Sequence, residues 1–132
     1  MIPDILTGTR LFMEASGQSI AATPAFPDDD TRALRRALLC EELGEYITAE
    51  AHGDLVEVVD GLLDIIVVAH GTLLSYIGPE TAEAAAAEVT RSNLDKIVDG
   101  VVLRREDGKV KKPPNWVSPD IAGVLQQHGG DL

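Results

Sequence analysis

The stretch Leu62 to Leu74 constrains this chain more than any other feature. It is apolar on nearly every side of a helix, so it must be buried on all faces, either in a bundle core or at a seam between two copies. Punctuation frames it: Gly53 and Asp54 precede it and Gly78-Pro79 follows, which predicts a helix from about Asp54 to Ile77. Upstream, Thr31 to His52 is rich in Ala, Leu, Arg and Glu and predicts a second long helix, with Asp30 or Thr31 as its N-cap. The acidic run Asp28-Asp29-Asp30 is then a solvated helix entry. Downstream, Pro79 suits the first turn of a third long helix that passes through Ala84–Ala87 to about Asp99. A shorter amphipathic helix over Ile5 to Ala15 turns Leu6, Leu11 and Phe12 toward its neighbours.

After Gly100 the texture changes. Val101-Val102-Leu103, Asp107-Gly108 and Val110 predict a small hairpin or extended flap turning at Asp107-Gly108, and Ile121 to Gln127 predicts a last short helix. Long helices joined by short loops give an all-α antiparallel bundle with this C-terminal flap. The expected organisation is one domain over 1–132, with a bundle core at about 31–99 and a basic flap and tail at 100–132. Only 4% of the residues are aromatic, so the core has to come from Ala, Leu, Val and Ile.

Charge and cysteine content narrow the function. The formal net charge is -11, which argues against duplex nucleic acid and against a polybasic membrane contact. Cys40 is the lone cysteine, so no intrachain disulfide and no cysteine-based zinc site is available, and it reads as a small buried hydrophobe. No basic, apolar and small signal pattern opens the chain, and the apolar run is short and interrupted for a membrane span. The expected location is cytoplasmic.

The acids carry the chemistry. Glu41, Glu42 and Glu45 fall within about 100° of arc on one helix, and Glu57, Asp60 and Asp64 within about 60° on the next. Two antiparallel helices can pool five or six carboxylates, and such crowding requires cations or protons to neutralise it. Hard divalent cations such as Mg²⁺, with Mn²⁺ as a substitute, match oxygen ligands. A solvated acidic face is the bland alternative. Against it, Asp60 and Asp64 interrupt an apolar stretch, and Gly61 and Gly71 lie near the same stripe, where they make room beside the acids.

The remaining polar residues are less specific. Arg91, Asn93 and Lys96 are ordinary helix-surface residues that reach phosphates only if their face meets the acidic cavity. Arg104, Arg105, Lys109, Lys111 and Lys112 place five of the 11 basic residues within nine positions, either to clamp a polyphosphate or to offset the acidic bundle. His70 fits a packed core or interface position better than a ligand role, and Trp116 fits a pin holding the flap better than a base-stacking platform.

With these residues in order, the chain resembles the all-α nucleoside triphosphate pyrophosphohydrolases, the superfamily of MazG-like proteins, phosphoribosyl-ATP pyrophosphohydrolase and the dimeric dUTPases. Glu41-Glu42-Leu43-Gly44-Glu45 matches the EExxE motif, and the likeness continues through Asp64–Val68, Gly71-Thr72, Glu88–Lys96 and Asp107–Lys109 to Lys112-Pro113 and Trp116. The resemblance implies Mg²⁺ ligation by Glu42, Glu45 and Asp64, water orientation or deprotonation by Glu41, and phosphate contacts from Asn93 and Lys96, with Lys109 and Lys112 contributing from the flap. Two departures stand out. The family's ExxD motif would need a carboxylate where this chain has Gly61, so either Asp60 supplies the missing oxygen or Glu57 and Asp60 are themselves the pair. Val67 stands where relatives often carry Tyr.

The implied activity is Mg²⁺-dependent cleavage of a nucleoside triphosphate, or a modified analogue, to monophosphate and pyrophosphate, serving nucleotide-pool housecleaning in a homodimer or homotetramer. Phosphoribosyl-ATP hydrolysis in histidine synthesis is the alternative within the family. A non-catalytic acidic helical interaction protein is the alternative outside it.

Overall fold

A computed structural model describes residues Met1–Leu132. Five helices account for 61% of the chain: α1 (Ile5–Ala15), α2 (Asp29–His52), α3 (Leu55–Ile77), α4 (Pro79–Leu94) and α5 (Ile121–Gln127). A two-stranded antiparallel hairpin, β1 (Ile97–Val98) and β2 (Val101–Val102), follows α4. The central element is α3, which packs against α1, α2 and α4, while α5 packs on α4.

The helix ends follow from local chemistry. Asp28 caps α2, its carboxylate accepting from the Thr31 amide at 2.7 Å, so the helix begins two residues earlier than its composition predicts. Asp29 and Asp30 then sit in the first turn, where the helix dipole favours negative charge. Gly53 closes α2 in the left-handed conformation and Asp54 caps α3. The segment before α2 is stitched to the C-terminal end of α3: Ala21 donates to the Leu74 carbonyl, Ala25 to the Tyr76 carbonyl, and the Ser75 hydroxyl to the Ser19 carbonyl.

The third long helix is shorter than expected. It stops at Leu94 rather than near Asp99, because Asp99 and Gly100 both take positive φ (51° and 76°) and turn the chain between two β-branched pairs. An Asp-Gly pair flanked by Ile97-Val98 and Val101-Val102 is a strong signal for a tight hairpin, and it overrides the helical pattern before it. The expected turn at Asp107-Gly108 is also present, closed by the Arg104–Val110 bridge and the Lys111 amide on the Leu103 carbonyl at 2.7 Å. Trp116 pins the arm that follows, its indole N–H donating to the Ser92 carbonyl at 2.7 Å.

Burial inside one chain is sparse. Met13, Leu74 and Ala82 form the core, with Ile20 and Ile77 packed against it. Leu74 is fully covered, but Leu62, Leu63 and Ile66 in the same apolar run remain 43–45% exposed. The chain by itself therefore does not bury α3 on all faces. Cys40 is likewise exposed, not a small core residue, and the core of Met13, Leu74 and Ala82 takes no residue from α2. Nor is α3 too short to cross a membrane, since its 23 residues include a window of mean hydropathy 1.7. Its three acids and its pairing along the polar α2 mark it as a bundle helix instead.

Gly78 joins α3 to α4 at φ 79° and ψ 167°, a backbone region essentially closed to other residues, and the Ala21 carbonyl oxygen lies 2.6 Å from where a Cβ would stand. Gly78→Ala is expected to destabilise the fold by about 1–3 kcal/mol or more, read as a lower midpoint in urea unfolding.

Candidate metal centre

Two glycines on α3 decide how closely α2 can lie. A Cβ on Gly61 would stand 3.3 Å from the Tyr46 Cα, so the bare glycine admits the α2 backbone. One Cβ on Gly71 would collide with the Arg35 guanidinium and stand 3.0 Å from the Met13 sulfur. The room that these glycines make is thus taken by α2 itself and by a buried arginine, not by the acids. Arg35 is 6% exposed and donates to the Thr72 hydroxyl at 3.1 Å, the Gln18 amide oxygen at 3.2 Å and the Val68 carbonyl at 2.9 Å. No carboxylate pairs with it, and desolvation lowers its pKa.

Between these two contacts the acids converge. Carboxylate oxygens of Glu42, Glu45 and Asp64 lie within 4.8 Å of one another. Glu42 and Asp64 are half-buried and Glu45 is exposed. Oε2 of Glu42 is buried without a hydrogen-bond partner, an arrangement that carries a desolvation penalty unless a cation or proton satisfies it. Desolvation pushes the Glu42 carboxyl above its ordinary value, and the charges of Glu45, Asp64 and Glu41 push in the same direction. Three hard oxygen donors with one orphaned lone-pair site fit a hard divalent cation such as Mg²⁺ or Mn²⁺.

Other acids lie around this cluster rather than in it. Glu41 and Glu57 line an open depression of about 580 Å³ together with Glu45, Thr48, His52 and Asp54. Asp60 is exposed and outside the convergent set. Of the three α3 acids, only Asp64 joins the α2 pair.

The basic residues are engaged elsewhere. Arg91 is bound by Glu88 at 2.7 Å and Asp95 at 2.8 Å, and it also donates to the Val117 and Ser118 carbonyls. Glu88 in turn accepts from the Asp120 amide, so this pair ties the C-terminal arm to α4. Lys96 donates to the Asn93 side chain at 3.1 Å, and its ammonium stands 5.2 Å from the Trp116 ring centre, with Lys112 at 4.9 Å. Lys109 is exposed on the flap. None of these five makes a hydrogen bond or ion pair with Glu42, Glu45 or Asp64. His70 is half-buried in a separate cleft with Asp4, Arg10 and Glu83, where burial lowers its pKa against the opposing charge of Asp4. The sequence pattern gave no warning of Arg35; its only trace was a glycine on the stripe of α3 that carries Asp64.

A carboxyl whose pKa is raised by folding holds its proton more tightly in the folded chain, so its ionisation weakens the fold as pH climbs through the ordinary value to the raised one. In metal-free protein, Glu42→Gln is therefore expected to raise Tm at about pH 7 and to give no such gain at about pH 4. The same variant should lose the Tm increase that millimolar Mg²⁺ gives the parent, as followed by thermal melts with and without chelator.

The sequence profile of the phosphoribosyl-ATP pyrophosphohydrolase family matches residues 9–93, which spans α1 to α4 and contains all three convergent acids. No curated protein matches the chain. The matched region covers well over half of the sequence and is built around the helix pair that carries the acids: this chain belongs to the phosphoribosyl-ATP pyrophosphohydrolase family, within the MazG-like all-α nucleoside triphosphate pyrophosphohydrolases.

Proposed function

We propose that this protein is a Mg²⁺-dependent pyrophosphohydrolase that opens a nucleoside triphosphate, or a close analogue, between the α- and β-phosphorus. The observation that carries the reading is the convergence of Glu42, Glu45 and Asp64, one of which keeps a buried carboxylate oxygen without a partner, in a chain of this family. A divalent cation held there would neutralise phosphate charge and make bound water easier to deprotonate. The acids Glu42, Glu45 and Asp64 hold and orient it, and Glu41, at the rim of the adjoining depression, orients or deprotonates the attacking water. Attack at the α-phosphorus leaves a monophosphate and releases pyrophosphate. Electrostatics makes the cation necessary for binding too, because a chain of net charge -11 repels a polyphosphate.

Asn93, Lys96, Lys109 and Lys112 are the proposed phosphate contacts. They serve only when the Trp116 latch or the flap moves, or when a second copy brings them to the acids. Arg91 is the weakest of the set, since its guanidinium is held by Glu88 and Asp95. Housecleaning of the nucleotide pool is one role. The matched family favours the second, hydrolysis of phosphoribosyl-ATP, at least as strongly.

The reading includes an assembly of two or more copies. The chain exposes 9125 Å². A compact monomer of its mass exposes about 6,700 Å². That surplus, about 2,400 Å², is of the size each partner loses in a permanent homodimer. Leu62, Leu63 and Ile66 on α3 supply apolar surface for such a seam.

Assayed against canonical and modified triphosphates, with dUTP, dCTP and phosphoribosyl-ATP among them, the protein should release pyrophosphate only with Mg²⁺ or Mn²⁺. Release of single phosphate would refute the α-phosphorus assignment. Glu41→Gln, Glu45→Gln and Asp64→Asn are each expected to lower kcat by about 10²-fold or more. Light scattering on an eluting peak should give at least twice the 14.1 kDa chain mass. The double variant Leu63→Asp with Ile66→Asp should shift it toward the monomer.

A further inference from the structure

The acids of α2 and α3 meet only because the two helices hold one axial register, and Arg35 sits where that register can be set. It lies seven residues before Glu42 on α2, while Gly71, which gives it room, lies seven residues after Asp64 on α3. Seven residues are close to two helical turns, or about 10.5 Å. Arg35 with Gly71, Glu42 with Asp64, and Tyr46 with Gly61 are thus successive contacts down one antiparallel seam. Gly61 permits the approach without specifying it, since a bare backbone tolerates sliding. Arg35 specifies it, because its planar fork must reach Val68, Thr72 and Gln18 together.

Nothing in the packing requires a cation at that place. All three acceptors are neutral, so the charge is buried against dipoles alone, and an apolar side chain of similar volume would fill the socket at lower desolvation cost. What an apolar side chain lacks is direction. A slip of α3 by one turn would carry Asp64 about 5.4 Å along the seam and away from Glu42 and Glu45.

We infer that Arg35 is a positioning residue for the metal centre: from two turns away, and touching neither cation nor substrate, it holds α2 and α3 in the register that brings Glu42 and Glu45 to Asp64. This rests on the metal-dependent reading above, but the register itself is measurable without metal.

The test compares the full chain with Arg35→Met and Arg35→Lys. Helix content by circular dichroism and Tm in chelator report whether each folds, and Mn²⁺ affinity is measured by calorimetry. A nuclear Overhauser contact between the α-protons of Tyr46 and Gly61 reports the register. The expected result is a folded Arg35→Met with a Tm equal to or above the parent's, Mn²⁺ affinity down tenfold or more, and a weakened Tyr46–Gly61 contact. Arg35→Lys keeps the charge but cannot span the three acceptors, so it should show the same two losses, and it decides the matter if Arg35→Met does not fold. A folded variant with parental Mn²⁺ affinity and an undiminished contact overturns the inference. If the parent binds no Mn²⁺ and Asp64→Asn is indistinguishable from it, the metal reading falls. The Tyr46–Gly61 contact then decides the role of Arg35 in setting the register.

Discussion

Everything specific about this molecule depends on how closely α2 and α3 approach and at what register. Two helices that carry clustered acids repel each other, and hydrophobic contact alone does not say where along the axis they should stop. Here the stop is made of backbone and one cation: glycines at 61 and 71 remove the side chains that would hold the helices apart, and Arg35 enters the gap so created. The acids sit between these contacts, so their convergence follows from seam geometry rather than from any attraction among themselves.

The distribution of positive charge carries the same logic further. The chain has 11 Lys and Arg against 22 Asp and Glu, and several of the positive groups are committed to partners away from the convergent acids. Arg35 is buried under α3, Arg91 is held by Glu88 and Asp95, and Lys96 and Lys112 both stand near the Trp116 ring. The convergent carboxylates therefore have no basic side chain in hydrogen-bond or ion-pair contact, and their mutual repulsion is relieved only by a proton or by a cation from outside the chain. That is also the arrangement that leaves Glu42 with a raised affinity for protons.

Assembly and site draw on the same helix. One face of α3 receives Arg35 and presents Asp64, while Leu62, Leu63 and Ile66 stay open to solvent in the single chain. A helix that is apolar all round satisfies two neighbours at once. The proposed seam with a second copy would bury the face that α1, α2 and α4 leave uncovered.

Local signals made most of the helices legible in advance. Asp54, Gly53, Gly78 and Pro79 act within a turn of where they stand, so the boundaries of α1, α3 and α5 and the end of α2 followed from the residues themselves. The arcs of Glu41, Glu42 and Glu45 and of Asp60 and Asp64 were also legible, because helical angle depends only on spacing. The end of α4 is where two local signals conflict, and there the Asp99-Gly100 turn overrides the helical pattern.

What helical spacing alone could not settle was which acid of α3 would face the α2 pair, although the family resemblance already implied Asp64. Asp60 and Asp64 lie one turn apart and look equivalent along the chain. The choice is made by axial register, a contact between residues more than 30 positions apart, fixed by Arg35 in its socket. The same holds for Lys96 and Lys112, whose approach to Trp116 no spacing rule encodes. Angle around a helix is a local property and was determined by the sequence alone. Position along a neighbouring helix is a non-local one, and only the tertiary structure decided it.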